Sequence, residues 1–199
     1  MKQLAILFFI TFSLFSCKEN KEEAQAVLSE SNGKINNVSI IIDDNLWNGE
    51  IGDSIRKKFA APVDGLPQEE PLFTLNQYPT KVFEGFVRKS RNIIIVKKDT
   101  KTGFSSNNNV YAKPQNVFLV SGKTTEDVLK VLEEKSAEII KTVKSAEIIE
   151  NQLRMKKSLV SDDKVQKMFG VSLEIGFGFK YDMVKDNFIW LRKEFSSGY

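Results

Sequence analysis

Apolar residues gather in three short runs that are rich in β-branched side chains. The runs are VSIII at 38–42, IIIV at 93–96 and NVFLV at 116–120, and polar or turn-forming residues bound each of them. Continuous apolar runs of this length predict strands that are buried on both faces of a sheet. We therefore expect a central β-sheet that other elements cover.

Helical spacing follows the first run. Ile51, Ile55 and Phe59 recur every four residues, which predicts an amphipathic helix, and Asn48 is its expected N-cap. The segment 82–87 has a similar apolar spacing and is also predicted to be helical. These helices would cover part of the predicted sheet.

A long helix is predicted over 125–157, with Thr124 or Thr125 as its cap. The hexapeptide KSAEII occurs in it twice, at 135 and at 144. Nine residues at about 100° each place the two copies half a turn apart, so they should face opposite sides of the helix. The apolar positions follow a three-four spacing and form one stripe, which we expect to pack on the sheet: Leu129, Leu132, Ile139, Val143, Ala146 and Leu153.

Two segments show neither pattern. Segment 61–79 carries four prolines and predicts an extended, irregular crossing, because proline fixes φ and removes a backbone donor. Segment 100–109, TKTGFSSNNN, is predicted to be a polar loop.

The C-terminal part of the chain predicts a short helix at 161–170 and then a pair of strands. Segment 171–181 alternates apolar and polar residues and predicts a half-buried strand, with 188–195 as its antiparallel partner. Gly176 and Gly178 lie on the polar side, where they indicate a bulge or a close backbone approach. The whole pattern predicts an α+β or α/β domain in which helices cover a mixed sheet.

The N-terminus has the pattern of a secretory signal peptide. Lys2 provides a positive start, residues 4–15 are almost wholly apolar, and Ser16 is the small residue expected before a cleavage point. This apolar run is shorter than the roughly 20 residues that a transmembrane helix needs. We expect residues 1–16 to be removed and no membrane-spanning segment to remain.

Cys17 is the single cysteine of the chain and directly follows this leader. Residues 14–17, Leu-Phe-Ser-Cys, look like a bacterial lipobox, which implies that Cys17 becomes the acylated first residue, carrying palmitate or a similar chain. The alternative is an ordinary signal cut nearby, with Cys17 incidental. Residues 17–34 are rich in Lys, Glu, Ser and Asn, and we expect a flexible tether there, followed by a single domain over 35–199.

Composition excludes several classes of function. The chain has 29 basic and 26 acidic side chains, and this near-balance argues against a nucleic-acid partner. It has no histidine, so Ser-His-Asp and Cys-His catalysis and histidine-ligated zinc are excluded. With one cysteine, an iron–sulfur cluster is excluded as well. We expect no cofactor and no metal, and binding is favoured over catalysis.

Polar residues at predicted turns supply the candidate binding residues. Asp43 and Asp44 follow the first strand at its carboxyl end, where α/β folds place ligand sites, although acidic turns are common without any function. Trp47 lies beside this turn and suits contact with a partner, as it equally suits a half-buried core position. Gln68 and Glu69 lie between prolines, in a stiffened loop that is a reasonable binding element.

Arg91 is expected to pair with an internal carboxylate such as Glu69, or else with the carboxylate of a ligand. Two functions remain open. The favoured one is a non-enzymatic binding or assembly lipoprotein, whose proline-rich loop and 43–47 turn contact an envelope protein or a glycan. The alternative is an envelope hydrolase in which Asp43 or Asp44 converges with Glu69, with carboxyl groups about 5 to 10 Å apart. A large exposed apolar patch would favour the binding module.

Four blocks occur in order along the chain: LWNGEIGDSIRKKF, PVDGLPQEEPLF, RNIIIV and NFIWLRKE. In these blocks the chain resembles an uncharacterised lipoprotein family of Bacteroidota, a domain of unknown function, from about residue 35 onward. The Leu-Pro-Gln-x-Glu-Pro block at 66–71 is the most distinctive part. The resemblance implies a signal peptide, a lipidated cysteine and an envelope location. We expect the chain to be lipid-anchored at the outer membrane, on its periplasmic or surface face. Members of that family extend past the last block, so a C-terminally truncated member is a further hypothesis.

Overall fold

The computed structural model describes residues 28–194, and a five-stranded mixed sheet organises them. Across the sheet the strand order is β2-β1-β3-β5-β4; the first four are parallel, and β4 at the edge runs antiparallel to β5. Together with the helices, this confirms the predicted α+β class. The strands are β1 (Asn37–Ile41), β2 (Thr74–Tyr78), β3 (Asn92–Lys98), β4 (Gly103–Asn108) and β5 (Asn116–Gly122).

The three apolar runs form the centre of this sheet, as predicted. Strands β1, β3 and β5 lie side by side, and nearly every apolar side chain in them is buried. Ile94 and Phe118 are both fully buried and are register partners on β3 and β5. Burial of each such side chain stabilises the fold by roughly 1.5–3 kcal/mol.

Two of the five helices in the described range cover one face of the sheet. Helices α2 and α4 contact each other, and their buried side chains join those of the sheet in one core. The opposite face carries only a smaller apolar cluster around Ile41, Ile93 and Val117. The helices are α1 (Asp44–Trp47), α2 (Glu50–Phe59), α3 (Gly85–Arg88), α4 (Thr125–Lys156) and α5 (Asp163–Phe169).

The start of α2 differs from the prediction. Its N-cap is Gly49, whereas Asn48 ends the short helix α1, because the acidic turn itself forms one helical turn. Helix α4 begins as predicted at Thr124, whose side chain accepts from the Asp127 N–H at 3.2 Å. The Asp127 carboxylate accepts in return from the Thr124 N–H, which completes a capping box.

The two KSAEII copies face opposite sides of α4, as their spacing predicts. Ile139 of the first copy is fully buried, whereas Ile148 at the same place in the second copy is exposed. The predicted stripe holds at Leu132, Ile139 and Val143 but is wrong at Leu153, which is 53% exposed. The helix is about 48 Å long and the longest strand about 23 Å, so its last turns extend beyond the sheet.

Two strands lie in segments that we predicted to be irregular. Strand β2 lies in the proline-rich segment and pairs with β1, and β4 lies in the predicted polar loop and pairs with β5. Both are edge strands with few apolar residues, so their stability comes from backbone pairing to a buried neighbour and leaves little trace in the hydropathy pattern. The predicted helix at 82–87 is reduced to a 3-10 turn, Thr80–Val82, and the single turn α3.

Residues 29–34, assigned above to the tether, are hydrogen bonded to the folded domain. The Ser31 N–H donates to the Lys113 carbonyl at 3.1 Å, and the Asn32 N–H donates to the Lys89 carbonyl at 2.8 Å. The Arg91 N–H donates to the Asn32 carbonyl at 3.0 Å. This segment therefore forms part of the amino-terminal edge of the domain. The signal peptide and Cys17 lie outside the described residues.

The C-terminal part consists of α5 and short strands. The strands are β6 (Leu159–Val160), β7 (Ile175–Gly176), β8 (Phe179–Lys185) and β9 (Phe188–Lys193). The predicted pairing of β8 with β9 is correct, but the single strand predicted over 171–181 is wrong, because Gly178 at φ 91° turns the backbone between β7 and β8. Ile175 is the only apolar residue of that segment that is buried. Within residues 28–194, no helix combines the length and the hydropathy needed to cross a bilayer.

Candidate functional site

The carboxylates of the two aspartates at the carboxyl end of β1 accept hydrogen bonds from β2 and from the turn that follows it. The Asp43 carboxylate accepts from the Thr80 N–H at 3.2 Å, and the Asp44 carboxylate accepts from the Gln77 side chain at 2.9 Å. Gln77 also donates to the Ile42 carbonyl at 3.0 Å. These hydrogen bonds therefore connect the end of β1 to the end of β2, so both carboxylates have a structural role.

Trp47 packs against the edge of the main core. It is half-buried, contacts the main core, and lies under the Arg56 guanidinium, 4.5 Å from the ring centroid. Arg56 also donates to the Trp47 carbonyl at 3.1 Å. Gly52 allows this approach, since a Cβ there would lie 1.7 Å from the Trp47 carbonyl oxygen. Trp47 therefore holds a half-buried position beside the core, and its contact with a partner stays a prediction.

A cleft of about 430 Å³ lies beyond the carboxyl ends of β1 and β3. This is the switch point of the parallel strands, where α/β sheets commonly bind ligands. Asn45, Glu50, Lys98 and Glu126 line it, together with the first turn of α4, and neither Asp43 nor Asp44 does. The candidate aspartates are therefore beside the cleft and do not form it.

The proline-rich loop lies at the opposite, amino-terminal end of the strands. It closes on itself through a bridge between Pro62 and Pro71, and it connects the end of α2 to the start of β2. Gln68 and Glu69 are exposed in it. Because five residues of β1 span about 16 Å, Glu69 and the aspartates at opposite ends of the strands cannot share one hydrolytic cleft.

Arg91 pairs with Glu147 of α4 and not with Glu69. The Arg91 Nε donates to Glu147 Oε1 at 2.6 Å and its Nη2 donates to Oε2 at 3.1 Å, and both side chains are 2% exposed. The Asn92 side chain donates to Glu147 at 2.6 Å, and the Asn36 N–H donates to it at 2.7 Å. These donors satisfy the Glu147 carboxylate, and the cluster connects α4 to β3 and to the amino-terminal segment. The carboxylate therefore has no oxygen left to bind a ligand.

Sequence reasoning did not identify Glu147, although a signal was present. Glu147 follows Val143 by four residues and so continues the buried stripe of α4 into its second KSAEII copy. An acidic residue at an apolar position predicts a buried partner of opposite charge. Arg91, directly before a buried strand, was the matching candidate.

The largest apolar side chains exposed to solvent are concentrated near the C-terminus. Phe177 is 74% exposed and Trp190 is 47% exposed. We define the C-terminal apolar surface as the exposed residues Phe169, Val171, Leu173, Phe177, Met183, Val184, Phe188 and Trp190.

Three hydrogen bonds connect residues 173–181 of this region to the segment 158–162. The Leu173 N–H donates to the Asp162 carboxylate at 2.8 Å, the Phe177 N–H donates to the Ser158 carbonyl at 3.0 Å, and the Tyr181 hydroxyl donates to the Ser161 carbonyl at 2.8 Å. The bonds to Leu173 and Ser172 hold the pKa of Asp162 below its ordinary value. These bonds anchor Leu173, Phe177 and Tyr181 to the segment 158–162. No group of His, Cys, Asp and Glu in the described range could hold a metal ion.

Comparison with known proteins gives a family and no activity. A family model described as a domain of unknown function, DUF8532, matches residues 31–156. No curated protein and no solved structure matches the chain. The matched range contains the five-stranded sheet and α1 to α4, whereas all residues of the C-terminal apolar surface lie beyond it.

Proposed function

This chain belongs to the DUF8532 family, and we propose that it is a non-enzymatic binding or assembly module that docks a protein partner in a bacterial cell envelope. The observation that carries the proposal is the C-terminal apolar surface, with Phe177 the most exposed of its side chains. A concentration of exposed large apolar side chains in one part of a protein is typical of an interaction site. This surface replaces the proline-rich loop and the 43–47 turn as the favoured contact region.

A protein partner suits the composition of this surface better than a lipid surface does. Residues 157–194 contain seven basic and six acidic side chains, so they lack the basic excess that attracts anionic lipid. Arg192 is in addition paired with Asp182 at 3.1 Å. Phe, Trp and Met beside mixed charges are typical of the centre and rim of protein interfaces.

The envelope location rests on the leader and on Cys17. Acyl chains on Cys17 would hold the domain at the membrane surface, and the residues before Ser29 would act as the tether. Confinement to one surface raises the effective concentration of a membrane partner, so a moderate affinity suffices for assembly. The resemblance to lipoproteins of Bacteroidota supports the same location.

The alternative hydrolase has less support. Asp43 and Asp44 bind β2 and the turn after it, and Glu69 lies at the opposite end of the strands. The buried carboxylate of Glu147 is fully occupied by Arg91, Asn92 and a backbone N–H. The predicted convergence of either aspartate with Glu69 therefore lacks support among residues 28–194.

Photo-crosslinking tests the docking surface. The full chain, with its own leader, would carry benzoylphenylalanine at position 177 in a Bacteroidota host, and at Asn107 on the polar edge strand as the control. We expect one discrete protein adduct from 177 and none from 107. The captured protein, once purified, should bind the wild type and lose affinity for Phe177→Ser combined with Trp190→Ser. Adducts with lipid or with a second copy of the chain only, or equal adducts from both positions, would contradict the proposal.

A further inference from the structure

A second cleft, of about 210 Å³, lies on the sheet face that α2 and α4 do not cover. Its floor is built by alternate residues of the two neighbouring strands β1 and β2. Asn37 and Ser39 of β1 point to this face, and Asn76 and Tyr78 of β2 point to the same face, with Ser39 and Asn76 in register. The floor is therefore polar, unlike the buried centre of the sheet.

Three side chains of the floor have unused hydrogen-bonding groups. The Asn37 amide, the Asn76 amide and the Tyr78 hydroxyl make no side-chain hydrogen bond to another residue of the described chain, and each is half-buried. Ser39, in contrast, donates to the Ser90 hydroxyl at 2.9 Å and is satisfied. Two amides and a phenol on two neighbouring strands offer both donors and acceptors on the floor.

An aromatic ring forms one wall. Phe86 lines the cleft and is 70% exposed, so its ring is accessible to a ligand. The Asn32 side chain donates to the Phe86 carbonyl at 3.0 Å and so fixes the wall relative to the amino-terminal segment. Gly85, at φ 50°, makes the turn that presents the ring.

The charged residues that line the cleft limit the chemical class of its ligand. No carboxylate of the described residues lines this cleft, and the Arg91 guanidinium beside it is neutralised by Glu147. Lys34 is the remaining cation among the described lining residues. The principal groups available to contact a ligand are thus neutral amides, a hydroxyl and an aromatic ring.

We propose that this cleft binds a sugar unit of a neutral glycan. Sugar hydroxyls both donate and accept, which matches the paired groups of a carboxamide, and the C–H face of a pyranose ring packs on an aromatic ring such as Phe86. The volume is comparable to that of one sugar ring. Because glycoside hydrolysis needs two carboxylates and the described lining has none, the site binds and does not cleave. The inference concerns a different face from the docking surface and does not depend on it.

Nuclear magnetic resonance titration of the full chain without its leader tests the proposal. The probes are neutral trisaccharides of glucose, mannose, xylose and N-acetylglucosamine, with triglycine and inorganic phosphate as competing ligand classes. The variants are Asn76→Leu and Phe86→Ala. Asn107→Leu is the matched control, because Asn107 is an exposed asparagine on the same face at the other edge of the sheet.

We expect saturable shifts with at least one trisaccharide, centred on Asn37, Asn76, Tyr78 and Phe86. Asn76→Leu and Phe86→Ala should each weaken that binding about tenfold, whereas Asn107→Leu should leave it and the melting temperature unchanged. Absence of binding by all four sugars, shifts centred elsewhere, or preference for triglycine would overturn the proposal. Preference for phosphate would also overturn it and would point to Lys34 as an anion site.

Discussion

Arg91 and Glu147 form a two-point ion pair in which both side chains are 2% exposed. Removal of two charges from water is unfavourable unless every donor and acceptor is used, and here Asn92 and backbone groups complete the cluster. The pair therefore fixes the position of α4 on the sheet, and loss of Glu147 would leave the buried Arg91 with only the more distant carboxylate of Glu150, at 3.7 Å.

The repeat in α4 provides a matched test of this pair. Glu147→Gln should lower the free energy of unfolding by about 3–5 kcal/mol, because it removes the two-point partner of buried Arg91 and leaves only Glu150, at the longer distance of 3.7 Å, beside that charge. Glu138→Gln changes the equivalent residue of the first KSAEII copy, which is exposed and pairs with Lys135 at 3.0 Å, and should change that energy by less than about 1 kcal/mol. Urea unfolding measures both. Equal losses would show that the buried pair has no special role.

Close approach of two backbones makes Gly52 sensitive to substitution. A Cβ at position 52 would lie 1.7 Å from the Trp47 carbonyl oxygen, so Gly52→Ala must displace α1 from α2. We expect a loss of at least about 1–3 kcal/mol in the free energy of unfolding, measured in urea. Gly103→Ala is the control, since nothing lies within 4 Å of the position that its Cβ would take, and its effect should be near zero.

Asp162 should make the C-terminal part sensitive to acid. Its pKa is lowered chiefly by the hydrogen bond from the Leu173 N–H and then by that from Ser172. A lowered pKa in the folded state means that this contribution is present above the ordinary value of about 3.9 and is lost as pH falls through the folded value. The hydrogen-exchange protection factor of the Leu173 amide should therefore fall at low pH, and it should be low at neutral pH in Asp162→Ala.

Asp163→Asn is the control for that experiment, because Asp163 lies one residue further along and accepts no hydrogen bond from 172–173 in the described structure. It should leave the protection at Leu173 close to that of the wild type. Equal protection in Asp162→Ala and the wild type would show that the carboxylate does not anchor this segment.

Cys17 is predicted to carry the membrane anchor. Intact mass spectrometry of the membrane fraction should find a mature chain that begins at Cys17 with added acyl mass. Cys17→Ala should lose this mass and leave the membrane fraction, because no other anchor is expected. An unmodified Cys17 in a soluble, cleaved chain would contradict the lipoprotein hypothesis.

The buried strands and helices are predicted well from the sequence because buried positions require apolar side chains, which leave a visible pattern. Two examples are the run Ile93 to Val96 and the spaced residues Ile51, Ile55 and Phe59. These apolar side chains are stable only when they face the core. The edge strands β2 and β4 were missed because pairing with a buried neighbour, and not their own side chains, determines them.

The site was harder to predict because its partners are distant in sequence. Arg91 meets Glu147 across the domain, and Ser39 meets Asn76 only through strand pairing. Asp43 and Asp44 had the right position at a strand end, but Gln77 and Thr80 occupy their carboxylates, and these contacts depend on the strand that the hydropathy pattern does not reveal.

Carbene footprinting of the whole chain can measure whether the C-terminal apolar surface is covered in the envelope, by comparing the purified protein with the protein in host membranes. The docking hypothesis predicts that Phe177, Phe188 and Trp190 are labelled strongly in the isolated chain and protected in membranes. Leu66, 46% exposed in the proline-rich loop, should be labelled equally in both. Unchanged labelling of Phe177 and Trp190, or protection of Leu66 instead, would refute the assignment of the docking surface.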